Sequence, residues 1–348
     1  MTTVITTPRI GFACKWINDA SEIDGIHPKS PTRDLNTRAT TVAWLNRQTK
    51  DVAEQRLWDI MVHNIQAIQR LIEKVGNLDP HLRMVRLSSD LLPVYTEPSW
   101  SYFWRRTDVR AYCEKHFAEV GVLARMLGVR LSFHPGQFCV LASDNGDIVR
   151  RSIEEFEYHV DMARWMGYGK SFQDFKINVH ISGRAGPQGI RDTYKKLTPE
   201  ARNTITLENE ENSWGLLDCL SLNDIIPTVM DIHHHWVREG EYIQHNDVRV
   251  RQVIDGWRGV RPAMHYSVSR EDYLSGHCVN TLPDYQSLLE SGYKKAKLRA
   301  HSDFYWNATV NEWASGFLDN FDIMCESKAK NLASFAFAEQ AFKFRSKV

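Results

Sequence analysis

No run of apolar residues in the sequence is long enough to span a bilayer. The opening MTTVITTPRIGFACKW does not pass from basic to apolar as a secretion signal does. The expectation is therefore a soluble, intracellular protein with no membrane partner. The six cysteines, Cys14, Cys113, Cys139, Cys219, Cys278 and Cys325, include no CxxC pair. That argues against a zinc ribbon or a disulfide framework, and the thiols read as free and buried. There is no Gly-rich dinucleotide fingerprint and no complete P-loop. Net charge is missing too, because 43 Lys and Arg balance 43 Asp and Glu. Any contact with nucleic acid would need a local basic surface instead of a global one. Internal repeats and low-complexity segments are also absent.

What is present is ordinary globular composition, 43% hydrophobic and 25% charged over 348 residues. That length suits two average domains or one large α/β barrel. Most of the eleven tryptophans and twelve tyrosines are expected in the core. Eight short apolar or β-branched runs read as strands: 9–14, 84–90, 129–134, 176–182, 204–210, 227–233, 261–268 and 321–327. Continuous apolar runs suit parallel strands covered on both faces. Amphipathic stretches separate them. The clearest carries Leu57, Ile60, Met61, Ile65, Ile68 and Ile72 at helical spacing, with Gly76 as a stop. Eight strands alternating with helices favour an α/β fold, a single TIM-like (β/α)8 barrel over residues 1–348, rather than a doubly wound sheet. Long loops near 25–51 and 269–299 would shape the substrate face.

Metal-capable side chains recur at the C-terminal ends of these runs. His134 ends the third, His180 the fourth and Glu208 the fifth. Asp231 and His234 close the sixth, His265 the seventh and Glu326 the eighth. One such residue alone reads better as packing. Seven from six consecutive strands do not, because burying so many ionisable groups without a cation is costly. Barrel strand ends converge on one face, so a site for Zn²⁺, Mn²⁺ or Fe²⁺ follows. In His233-His234-His235, neighbouring side chains of an extended segment face opposite ways. Asp231 and His233 would share a face in a straight strand; His234 could join Asp231 only where the chain turns. The residues alone leave both open.

HPGQFC (134–139), VHISG (179–183), TLENEE (206–211), DIHHH (231–235) and MHYS (264–267) together resemble the serial motifs of UV damage endonucleases. RIGFAC (9–14), RLSSDLLP (86–93) and AHSDF (300–304) paired with Glu326 fit the same family, so the resemblance runs from Arg9 to about residue 330. It implies a barrel similar to apurinic endonuclease IV, holding three divalent ions, with Mn²⁺ first and Zn²⁺ or Mg²⁺ as alternatives. His134, His180 and Glu208 would hold one ion. Glu208 would bridge to a second, held by Asp231, His265 and Glu326; His234 and His301 would take the third. Glu208, Asp231 and Glu326 would thus be the catalytic acids. His277 rivals His301, which is preferred for its family motif. A lysine often found two residues before the seventh-strand histidine is replaced by Ala263. The Gln-Tyr pair that usually probes damaged DNA is Gln137-Phe138, which keeps a stacking ring and loses a hydroxyl. A histidine sometimes found near the second-strand loop is replaced by Glu97.

The resemblance further implies damaged double-stranded DNA as partner, no obligate protein partner, and hydrolysis immediately 5′ of a cyclobutane dimer or 6-4 photoproduct to leave a 3′-hydroxyl. Lys15, Arg86, Arg105, Arg106, Arg184 and Arg270 are candidates for phosphate contacts, though each taken singly reads better as a surface charge. Two other readings compete. A sugar isomerase or epimerase on the same barrel would need only one or two ions. A binding scaffold that has lost activity would bind damaged DNA without cutting it, and Ala263 gives that reading some footing.

Overall fold

The computed structural model describes residues 7–346; the first six and last two residues of the expected domain lie outside them. Eight strands form one parallel sheet: β1 (Ile10–Ala13), β2 (Met84–Arg86), β3 (Arg130–Phe133), β4 (Lys176–His180), β5 (Ile205–Glu208), β6 (Thr228–Val229), β7 (Ala263–Tyr266) and β8 (Asp322–Cys325). Each falls inside one of the eight apolar runs. Hydrogen-bonded neighbours run from β6 through β5, β4, β3, β2 and β1 to β8 and β7. The remaining gap is spanned by a parallel bridge between Asp231 and His265, with His265 N–H donating to Met230 C=O at 3.0 Å. The result is a TIM-like barrel.

The helices follow their sequence signals. Helix Lys50–Gly76 starts on a Thr49 cap and buries Leu57, Ile60, Met61, Ile65, Ile68 and Ile72. Helices Thr107–Met126 and Gly146–Trp165 end just before Gly128 and Gly167, which take the positive φ that ends a helix cheaply. These two helices approach closely at Gly121, where a Cβ would lie 1.9 Å from the Met166 carbonyl. Only glycine fits there. Helix Lys330–Arg345 closes the ring and packs on β1 and β8.

Three expectations change. The sixth run is a strand only at Thr228–Val229, because Asp231 caps a helix over Ile232–Glu239 and ends the extended chain. The segment 269–299 is not plain loop. It contains helices Tyr285–Glu290 and Lys295–Leu298, and Leu274, Leu288 and Leu298 pack on Trp236 and Val237. The six thiols are free, but Cys278 is exposed and Cys14 half-buried. No helix among the described residues is long and apolar enough to cross a membrane.

Candidate metal centre

The barrel places its ligand-type side chains at the C-terminal mouth. His134 follows β3, His180 and Glu208 end β4 and β5, His265 lies in β7, and Glu326 follows β8. Potential ligand atoms of His134, His180 and Glu208 lie within 4.8 Å of one another. So do those of Glu208, Asp231, His265 and Glu326, and those of His134, His265 and Glu326. Glu208 is common to the first two groups. His134 Nε2 is 3.1 Å from Glu208 Oε2, and His265 Nδ1 is 3.0 Å from Glu208 Oε1 and 3.3 Å from Glu326 Oε1.

These atoms suit a cation better than they suit each other. His180 Nδ1, Glu208 Oε1, Asp231 Oδ2 and His265 Nδ1 are all buried without a hydrogen-bond partner, despite the short His265–Glu208 separation. Buried polar groups are normally satisfied, and an imidazole–carboxylate donor set fits a borderline divalent ion. The electrostatics point the same way. Burial opposes charge on Glu208, yet His265, His180 and the His134 hydrogen bond hold its carboxyl well below the usual range. Glu326 is held low by His265 and Arg86 against the same burial. Asp231 then carries the cost of a third nearby carboxylate. Burial, with Glu208 and Glu326, pushes it up to about 8 although His234 opposes this. Burial also lowers His134 to about 4, against Glu208, keeping the imidazole neutral as a ligand must be.

Beneath the cluster lies a polar layer that pattern reading missed. Thr206 donates to Asn178 Oδ1 at 2.8 Å, and Asn178 Nδ2 donates to Glu208 Oε2. Lys176, 3% exposed at the start of β4, reaches upward so that Nζ lies 3.2 Å from His265 Nε2. Burial lowers its pKa to about 7, with Arg86 adding to the effect. Ala263, where the resemblance puts a lysine, is buried at the start of β7. Arg86 was a candidate for DNA phosphates; instead its Nη1 is bound to Glu326 Oε1, so it positions that carboxylate. Lys176 and Asn178 look like the start and middle of a strand, and only their inward register could have flagged them. Glu210 and Glu211 had a signal, standing in TLENEE. Glu210 Oε1 lies 3.4 Å from His180 Nδ1, and Glu211 Oε2 lies 3.7 Å from His234 Nε2.

The three histidines separate because the chain turns at Asp231. Asp231 Oδ1 accepts the His234 amide at 2.7 Å, which brings His234 back over the cluster with Nδ1 3.8 Å from Asp231 Oδ2. That nitrogen is also 3.0 Å from the Asn209 carbonyl. Burial disfavours charge on His234, but Asp231, Glu208 and Glu211 outweigh it and raise it to about 9. His233 stacks on Trp236, and His235 faces Glu241 at 3.0 Å. The His301 ring lies 6.3 Å from that of His234, so the two are neighbours without joining any of the three ligand groups. His277 turns to Trp306. Gln137 and Phe138 sit on a turn closed by Cys139 N–H to Gly136 C=O at 2.9 Å, directly after His134. Phe138 is 86% exposed. Glu97 holds its own loop, accepting the Ser99 amide. Of the other basic candidates, Arg106, Arg184 and Arg270 each pair with a carboxylate; Lys15 and Arg105 show no such pairing among the described residues.

Fold and site together define a TIM-barrel protein whose strand ends gather histidines and carboxylates able to hold metal ions around a shared glutamate. The chain belongs to the UV-endonuclease UvdE family, whose model it matches over residues 8–346. It is 24% identical over 320 residues to a UV DNA damage endonuclease of Bacillus thuringiensis subsp. konkukian (strain 97-27), covering 88% of this chain and 90% of that protein. Among solved structures it resembles SacUVDE, with a TM-score of 0.70 and 20% identity, covering 98% of this chain and all of that one. Endonuclease IV from Thermus thermophilus has the same fold, with a TM-score of 0.51, 11% identity and coverage of 81% and 95%.

Proposed function

We propose that the chain is a divalent-metal-dependent DNA repair endonuclease that nicks duplex DNA immediately 5′ of UV photoproducts, cyclobutane dimers and 6-4 photoproducts, leaving a 3′-hydroxyl. The observation that carries this reading is the convergence of unsatisfied ligand atoms around Glu208 beside an exposed aromatic turn. In this reading His134, His180 and Glu208 hold one ion, and Glu208, Asp231, His265 and Glu326 a second. His234 and His301 serve a third. Bound there, divalent cations, Mn²⁺ first among them, would supply the charge that activates water and neutralises a phosphodiester in displacement.

The chain's own part is arrangement. Asn178 and Thr206 fix Glu208 in the shared position, and Arg86 fixes Glu326. Asp231 commits Oδ1 to the helix cap and leaves Oδ2 for the cluster. Phe138, with Gln137, supplies a ring that can fill a step whose stacking a photoproduct has already weakened.

The test is nicking of a UV-irradiated supercoiled plasmid, then of a duplex with one defined photoproduct, by metal-stripped protein with and without added Mn²⁺. Nicking that needs both lesion and metal is the expected result. Sugar turnover without nicking, or damaged-DNA binding with no cleavage in any metal, would overturn it. Within the same assay Glu208→Gln is expected to lose both nicking and bound metal while the far-ultraviolet spectrum stays that of a folded barrel.

A further inference from the structure

The loop after β1 forms a pocket of about 340 Å³ lined by Lys15, Arg33 and Arg38 together with Asn36 and Thr37. Among the described residues no carboxylate lies within 4 Å of any of these three cations. Elsewhere on loops, Arg106, Arg184 and Arg270 are each neutralised by an acid. The Arg38 Nε is buried and has no hydrogen-bond partner, and Arg33 gives a proton only to the Pro28 carbonyl, at 3.1 Å.

The loop carrying these charges is held from below. Asn36, buried, accepts the Trp16 amide at 3.0 Å and donates to the Trp16 and Thr32 carbonyls, each at 2.8 Å. Fully buried Asn64, from helix Lys50–Gly76, accepts the Arg38 amide at 2.7 Å and donates to the Arg38 carbonyl at 2.9 Å. The His63 ring meets the Asn36 carbonyl at 3.1 Å. Three buried polar side chains thus fix the backbone while the cations stay unpaired.

Two guanidiniums and an ammonium match the oxygens of a phosphate diester. Lys15 stands two residues past β1, whose neighbours β8 and β2 bring Glu326 and Arg86 to the same mouth. We infer that this pocket holds a backbone phosphate of duplex DNA, away from the scissile one, and so sets the register of the duplex over the metal centre. The inference rests on the endonuclease reading. Such a contact positions without reading sequence or damage.

The test measures duplex binding against salt for Arg33→Gln/Arg38→Gln, with Lys29→Gln, an exposed cation of the same loop outside the pocket, as comparison. The clamping residues are untouched, and metal content is read on each variant. The double variant is expected to lower the slope of log affinity against log salt by about 1 for each phosphate it no longer neutralises. Irradiated and undamaged duplexes should weaken by the same factor, with metal content as in the wild type. An unchanged slope, an equal fall in Lys29→Gln, or a pocket that takes up inorganic phosphate while the slope stays put would each overturn the proposal. If the wild type still nicks irradiated plasmid, those results strike only the pocket. A wild type that binds no duplex overturns the pocket and the endonuclease reading together.

Discussion

Lys176 and His265 pose a problem of proton placement at the scale of single atoms. A neutral imidazole that offers Nδ1 to a metal carries its proton on Nε2, and that N–H must find an acceptor. The atom it meets, at 3.2 Å, is Lys176 Nζ. An amine whose pKa burial has brought down to about 7 can accept there; an ammonium cannot. Lys176→Met should therefore weaken metal binding by roughly 10- to 100-fold, the usual cost of removing the group that orients a ligating histidine. Lys176→Gln, whose amide oxygen also accepts, should recover most of it. Competition with a chelating dye reads both, and a methionine variant that binds like the wild type removes the role. At the mouth, Phe138→Ala should weaken binding to irradiated duplex while leaving metal content and undamaged-duplex binding unchanged. Fluorescence anisotropy on the two duplexes checks it.

Among the elements, helix Gly146–Trp165 carries a titration with no part in the site. His159 is fully buried, edge-on to Phe133 with centroids 5.5 Å apart and against Tyr158 at 4.7 Å. Its Nδ1 lies 2.8 Å from the Glu155 carbonyl and 3.9 Å from the Glu155 carboxylate, and Nε2 has no partner. Burial lowers its pKa from 6.5 to about 4, against the Glu155 hydrogen bond. Above pH 6.5 the ring is neutral folded or unfolded and contributes no pH dependence. As pH falls below 6.5 the unfolded chain takes up a proton that the folded one refuses, so stability drops until about pH 4. The loss is on the order of 3 kcal/mol. Urea unfolding of His159→Gln in EDTA should lose that share of the acid limb between pH 6.5 and 4. An unchanged limb would show that His159 is protonated in the folded state. Elements were also where the sequence was most legible. Each apolar run holds a strand, because a strand covered on both faces is apolar for most of its length. The sixth misled beyond Val229, since Ile232 extends the apolar pattern while Asp231 caps a helix, and a cap is a matter of turn geometry. The ligand-type residues were readable because strand ends share one face. Lys176, Asn178 and the pairing of Arg86 with Glu326 were not, because they depend on which side chains cross the barrel interior, and no local pattern records that.

Across the whole molecule the two ends of the barrel have different duties. The C-terminal mouth gathers charges that lack partners, whereas the opposite end satisfies one buried acid completely. Asp322, fully buried at the start of β8, accepts the Arg9 amide at 2.9 Å, Arg130 Nη1 at 2.7 Å and Arg261 Nε at 2.7 Å. Those donors come from the residue before β1, the first residue of β3 and the segment entering β7, so one carboxylate ties distant staves of the barrel. Such a tie is a stability device, in keeping with barrels whose chemistry lies at the other face. Asp322→Ala would leave three arginine-bearing strands without their common acceptor, and breaking a buried ion pair from one side costs about 3–5 kcal/mol. The urea midpoint should fall accordingly. Metal content and lesion-dependent nicking of the protein that remains folded in the cold should stay near wild type, because no ligand-type residue of the mouth touches Asp322. Loss of metal from folded Asp322→Ala would mean instead that the lower tie holds the upper cluster in register, and that the two ends are coupled through the polar layer containing Lys176 and Asn178.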